Sequence, residues 1–198
     1  MSTACLAQVS GVDVGINIVQ AAYEMLASQG FGAMSMRSLS GKVGLQPGSL
    51  YYHFSSKQDV LEEVLDGLLG QRLSAWKRRR KPSGSIIHEL EDFLAFHISY
   101  VRLHPLDTPL LRSEMKHLDK ARLERIQELE VAYNQFLIDI IAKGMRQGVF
   151  NVPDSEAMAS VLLSMLSDSQ AGQMLQSSGS EASERWLIEL SKRMLGVR

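Results

Sequence analysis

A single cysteine, Cys5, occurs in 198 residues. A lone thiol excludes an internal disulfide framework and a cysteine-based zinc site, and it fits a reducing compartment. Fifteen glycines and five prolines are too few for a collagen-like or low-complexity chain. No apolar run approaches the roughly 18 residues of a membrane span. The opening Met1–Val12 has no Lys or Arg ahead of its apolar residues, which speaks against a secretory signal and makes the cytoplasm the expected compartment. Net charge is close to zero as well, at −1. That balance hides an asymmetry: residues 1–81 carry nine basic and six acidic side chains, residues 82–198 twelve and sixteen. The two parts are suited to different partners.

Enzyme signatures are also missing. Ser40-Gly41-Lys42-Val43 lacks the earlier glycine and the hydroxyl residue of a phosphate-binding loop, and no G-x-S-x-G occurs. His88-Glu89 is not followed by a histidine at the spacing of a zinc-protease helix. His97 and His104 fall on one helical face, with Glu114 and His117 beyond them, which leaves a divalent-metal sensor or a helical metal-dependent enzyme as alternatives. No residue set calls for a cofactor or a resident metal.

What is present repeats at the helical period. Ile18, Ala22, Met25 and Leu26 form one face, and Gly30 is placed to stop that helix. Ser35 can cap a short helix bearing Leu39 and Val43, ended by Gly44. Gln46 then precedes Pro47, a favoured first helical residue, ahead of Leu50, Tyr51 and Phe54. Helices this short are marginal alone, so residues 14–54 must pack as a three-helix unit. A long helix from Lys57 to about Arg79 carries Leu61, Val64, Leu65, Leu68, Leu69, Leu73 and Trp76 in one stripe, broken by Pro82, Ser83 and Gly84. Further helices are expected from Ile86 to before Pro105, within 106–117, over 119–147, over 154–175 and over 181–195. Sustained period-two alternation and internal repeats are absent, so the expected fold class is all-α.

Two short helices joined by a glycine-containing turn have the dimensions of a helix-turn-helix. Between Met25 and Gln58 the charged residues are Arg37, Lys42 and Lys57, with no Asp or Glu, as a surface facing phosphates requires. Gly48 and Ser49 let the second helix's N-terminus approach closely, and Tyr51, Tyr52 and His53 place polar-tipped rings on successive sides of it. The string GLQPGSLYYHFSSKQDVL, preceded by AAYEMLASQGF and SMRSLSGKVGL, resembles the DNA-binding domain of TetR-type transcriptional regulators over about residues 14–65. The resemblance implies that Ser35 touches a phosphate and that Tyr51 and His53 hold the backbone. Lys57 adds a phosphate contact, while Gln46, Pro47, Ser49 and Tyr52 lie nearest the bases. This chain departs from the family in having no basic residue over Ser10–Asn17, where Asp13 stands, and in reading Ser40-Gly41 where alanine is more usual.

The basic run Lys77–Lys81 is conspicuous, but Arg79 lies 22 residues beyond Lys57, roughly 33 Å along a helix. Cations at a helix C-terminus are favoured by its dipole. In the second half, Phe93, Phe96, His97, Tyr100, Met115, Tyr133, Phe136, Met158 and Met165 suit a pocket for an apolar or aromatic small molecule. An ordinary core accounts for them equally well. Leu162 and Leu166 on one late helix, and Trp186, Leu187 and Leu190 on the last, fit an isologous dimer interface. The expected organisation is a helix-turn-helix DNA-binding domain over 10–56 and a helical effector-binding and dimerisation domain over 57–198. The expected function is a homodimeric, ligand-responsive regulator of a palindromic operator on double-stranded DNA, with a constitutive regulator lacking an effector as the alternative.

Overall fold

A computed structural model describes residues 11–81, 84–167 and 180–197. Its helices are α1 (Gly11–Ala33), α2 (Met36–Lys42), α3 (Pro47–His53), α4 (Lys57–Arg79), α5 (Ile86–Leu103), α6 (Asp107–Glu114), α7 (Lys120–Arg146), α8 (Ser155–Leu166) and α9 (Ser180–Met194). A 3-10 turn, Met115–His117, follows α6. Among the described residues there is no strand, as period-two alternation's absence led us to expect. Pro82, Ser83 and the expected helical continuation over 168–175 lie outside the described residues.

Local signals set most helix ends. Gly30 leaves helical geometry at φ 75° and kinks α1, which resumes for one short turn to Ala33. Ser35 caps α2 in a reciprocal arrangement with Ser38. Gly44, at φ 70°, turns the chain out of α2, a conformation glycine adopts without steric cost. Ser56, Asp119 and Asp154 accept from backbone N–H groups at the starts of α4, α7 and α8.

Two apolar cores result. The first gathers Ile18, Ala22 and Leu26 of α1, Leu39 of α2, Leu50 of α3 and Val60 to Leu69 of α4. It also takes Leu110, Leu111, Leu118 and Ile126 from beyond residue 105. The second joins Leu73 and Trp76 of α4 to Leu90, Phe93 and Leu94 of α5, Tyr133 and Leu137 of α7, Leu162 of α8 and Leu187 of α9. A chain boundary at Lys57 therefore does not coincide with a boundary in packing, because α4 supplies both cores.

The second core contains one position where a methyl group has no room. A Cβ on Gly144 would fall 2.0 Å from the buried Phe150 ring. Alanine is ordinarily better than glycine in a helix by about 1 kcal/mol, but overpacking typically costs about 1–3 kcal/mol. Gly144→Ala is therefore expected to lower stability, and a thermal or urea midpoint at or above the parent's would refute the packing argument.

Candidate nucleic-acid interface and sensor cleft

Helices α2 and α3 are held from behind. Leu39, Ser40 and Leu50 are buried, the two leucines in the core shared with α1 and α4, and Leu45 N–H donates to Ser40 O at 2.9 Å across the turn. The outward side therefore presents Arg37, Gln46, Pro47, Gly48, Ser49, Tyr51 and Tyr52 to solvent. Tyr52 is 89% exposed and Tyr51 53% exposed, so neither ring is a core residue. His53 is half-buried, edge-on to Tyr52 with ring centroids 5.7 Å apart. A large, exposed aromatic pair on a seven-residue helix is surface free to meet another molecule.

The remaining expected contact residues are partly engaged within the chain. Ser35 Oγ accepts from Ser38 N–H at 3.0 Å as the α2 cap. Lys57 Nζ stands 4.0 Å from the centroid of the Phe31 ring, which itself stacks on His117 at 5.0 Å. Lys42 pairs with Glu24 at 2.7 Å, a neutralisation hidden from the sequence because Glu24 lies just outside the acid-free interval. In the distal basic run, Arg79 and Arg80 lean on the second core's aromatics, 5.9 Å from Phe96 and 5.2 Å from Phe136.

The second half sorts its expected ligand residues into two groups. Phe93, Phe96 and Phe136 pack around the buried Trp76 at centroid distances of 5.0, 5.3 and 6.3 Å, and Phe93 meets Tyr133 at 5.4 Å. Met165 is half-buried against the same core, and Tyr100 turns to a surface groove beside His104, Gly67 and Gly70. Only His97 and Met115 reach a cleft of about 240 Å³, formed with Arg72, Thr108, Leu111 and Ser167 among others. Arg72, which also lines this cleft, is not among the residues expected there; its signal in the sequence is positional, since it interrupts the apolar stripe three residues after Leu69 and four before Trp76.

His97 is enclosed, with Nδ1 2.9 Å from Tyr133 Oη and Nε2 3.0 Å from Ser167 Oγ. Burial, with Arg72's positive charge nearby, pushes its pKa down from 6.5 to about 3, so the ring is neutral. Burial likewise pushes the Tyr133 phenol up. The histidines considered as metal ligands are dispersed. His104 stacks on Tyr100 at 4.3 Å and faces Asp107 at 3.7 Å, while His117 sits on Phe31. Among the described residues no group of three His, Cys, Asp or Glu side chains is placed to hold a metal ion.

Of the expected dimer residues, Leu162, Leu166 and Leu187 are buried in the chain's own core, because the two late helices must first close it. Leu190 is half-buried, and Trp186, 59% exposed, faces outward. Val161 of α8 is exposed as well.

Residues 18–64 match the family described as bacterial regulatory proteins, tetR family, and residues 83–171 match the tetracyclin repressor-like C-terminal domain. The chain belongs to the TetR family. It is 22% identical over 138 residues to the HTH-type transcriptional repressor KstR2 of Mycobacterium tuberculosis, covering 69% of this chain and 68% of that protein. It is 20% identical over 133 residues to the fatty acid metabolism regulator protein of Bacillus subtilis, covering 67% of this chain and 69% of that one. A crystal structure of a tetR-family regulatory protein from Rhodococcus RHA1 has the same fold, with a TM-score of 0.85 at 22% identity over 93% of this chain and 98% of the other. This TetR-family chain is a transcriptional regulator and not an enzyme. No helix among its described residues is long and apolar enough to cross a membrane.

The neutral, buried His97 has a consequence for stability. Unfolded, it binds a proton near pH 6.5; folded, it does so only near 3. Between these values the unfolded state holds more protons, so stability falls as pH drops below 6.5. His97→Gln, whose amide can still bond Tyr133 and Ser167, is expected to lose less stability than the parent over that interval. Parallel denaturation curves for the two proteins from pH 7 downward would show His97 is not the titrating group.

Proposed function

We propose that this regulator is a cytoplasmic, homodimeric repressor that binds a palindromic operator through α2 and α3 and is released by a small effector. The observation that carries the DNA reading is the outward row Gln46, Pro47, Gly48, Ser49, Tyr51 and Tyr52, exposed on a helix anchored by Leu50 and flanked by no acid between Met25 and Gln58. Phosphate contacts from Ser35, Arg37, Tyr51, His53 and Lys57 would position the domain. Base-edge contacts from the start of α3 would specify sequence. Outward-facing Trp186 and half-buried Leu190 of α9, with exposed Val161 of α8, support pairing through these two helices.

Release would be transmitted through shared helices. The lower half of α4 lies in the DNA-binding core and its upper half in the second core. A second link runs through α6: Tyr23 of α1 donates to Asp107 at 3.1 Å, and Phe31 N–H donates to Glu114 at 3.0 Å. The cleft is lined by Arg72 of α4 and by Thr108, Leu111 and Arg112 of α6, so an occupant bears on both links. In a dimer the two α3 helices must enter successive major grooves about 34–36 Å apart, and a small rotation of each α4 spoils that fit. The constitutive alternative is favoured by one observation, the filling of the aromatic cluster around Trp76 by its own side chains. Effector affinity measured with and without operator separates the two readings, since coupling of about 1–3 kcal/mol must appear in both directions.

Selection from random duplexes is expected to recover a palindrome. Tyr51→Ala and Lys57→Ala are expected to weaken binding on every sequence, whereas Gln46→Ala and Tyr52→Ala are expected to change the preferred sequence. Wild-type affinity in Tyr51→Ala, or no enriched motif, would overturn the reading.

Replacing Arg78, Arg79 and Arg80 together by Gln is expected to leave the salt dependence of operator binding unchanged. Each phosphate contact contributes a slope of about 0.9 in log affinity against log salt. A fall of about 2–3 would place that run on the DNA.

A further inference from the structure

Arg72 is the unusual side chain of α4. It is 8% exposed, in a helix stripe otherwise made of Leu65, Leu69, Leu73 and Trp76. Its guanidinium lies 4.4 Å from the centroid of the Tyr133 ring. Among the described residues it makes no hydrogen bond and no ion pair, and its buried Nε has no partner. Three half-buried cations do find carboxylates: Lys143 reaches Glu89 at 2.7 Å, Lys192 reaches Glu91 at 2.8 Å, and Arg122 meets Asp59. Arginine stays protonated in proteins, so Arg72 cannot escape the cost of burial by shedding its charge. A ring is no ion-pair partner for a guanidinium, whose N–H donors remain available to an anionic acceptor.

Those donors belong to the cleft of about 240 Å³ between α4, α5, α6, α7 and α8. Beside Arg72 the wall holds His97, neutral and already bonded to Tyr133 and Ser167, so it supplies no counter-charge. Asp107 feels the charge of Arg72, but its carboxylate is engaged by Tyr23 on the α1 side. Leu111, Met115 and Leu163 give the cleft an apolar flank. The other charged residues of the lining, Arg112 and Glu130, are exposed and opposite in sign, so among the described residues the buried charge at this cleft is that of Arg72.

We propose that this cleft binds a small monocarboxylate, its carboxylate paired with the Arg72 guanidinium and its apolar body laid against Leu111, Met115 and Leu163. The planar two-donor edge of a guanidinium matches a carboxylate. One buried cation and a small volume suit one negative charge rather than a polyphosphate. The proposal rests on reading this half of the chain as a sensor and replaces an effector defined only as apolar or aromatic by an acidic one.

The test is calorimetric titration of the full-length protein without DNA, using acetate, butyrate, hexanoate, octanoate, benzoate and phenylacetate, the amide of each, and inorganic phosphate. At least one carboxylate is expected to bind roughly tenfold or more tightly than its amide, the scale of a charged hydrogen bond. Arg72→Lys, which keeps the charge but not the fork, is expected to retain the preference at reduced affinity, and Arg72→Met to lose it. Should Arg72→Met fail to fold, the Arg72 Nε–H resonance of the wild-type protein is followed by NMR and is expected to shift with the carboxylate and not with its amide. Three outcomes overturn the proposal: no carboxylate preferred over its amide, a preference that survives in folded Arg72→Met, or phosphate bound more tightly than every carboxylate. Operator binding is measured separately, so failure here leaves the DNA reading standing, and failure there leaves this titration interpretable.

Discussion

The apolar stripe of α4 is the constraint on which the rest of the structure depends. Helices as short as α2 and α3 do not persist alone, and their inward residues Leu39 and Leu50 are held in the core that Val60, Leu61, Val64 and Leu65 complete. The same stripe continues upward through Leu73 to Trp76, around which Phe93, Phe96 and Phe136 assemble. At about 1.5 Å per residue, the 23 residues of α4 span roughly 35 Å. One rigid element therefore sets the position of the helix-turn-helix relative to the whole of the second core.

Polar contacts add direction to that shared packing. The N-terminus of α4 is fastened to α7 by a network in which Arg122 meets Asp59, Glu62 and Asp119, and Arg125 meets Glu62. Arg122's partners favour its charged form and raise its pKa further, while Ser55 and Arg122 hold the Asp59 carboxyl below the usual range against the opposing effect of burial. Such partly solvated pairs contribute little individually to stability, but they fix the register of α4 against α7 next to the DNA-facing surface. On the other side, α6 holds α1 through Asp107 and Glu114. Burial pushes the Asp107 carboxyl up, and Tyr23, whose own pKa is pushed up to about 12, donates to it. Buried acids are tolerated only where a donor satisfies them, so these two contacts favour one orientation of α1 on α6.

The helix order, the cap at Ser35, the turn at Gly44 and the family were all legible in the sequence. Each depends on residues within one turn of one another, where a short side chain or a glycine meets a backbone need with little help from the remainder of the chain. The outward set on α3 was legible for the same reason, because Leu50 alone must face inward on so short a helix.

Questions of partnership were decided only by the tertiary structure. Phe93, Phe96, Tyr133 and Phe136 have the composition of a pocket, yet they fill a core, because Trp76 arrives from seventeen or more residues away in sequence. Leu162, Leu166 and Leu187 have the pattern of an interface, yet they close their own chain, since periodicity identifies an apolar face without naming what covers it. Arg72 is one charge in a stripe when read along the chain. Only the packing of α5, α6, α7 and α8 around it shows that, among the described residues, none brings a carboxylate within ion-pair reach.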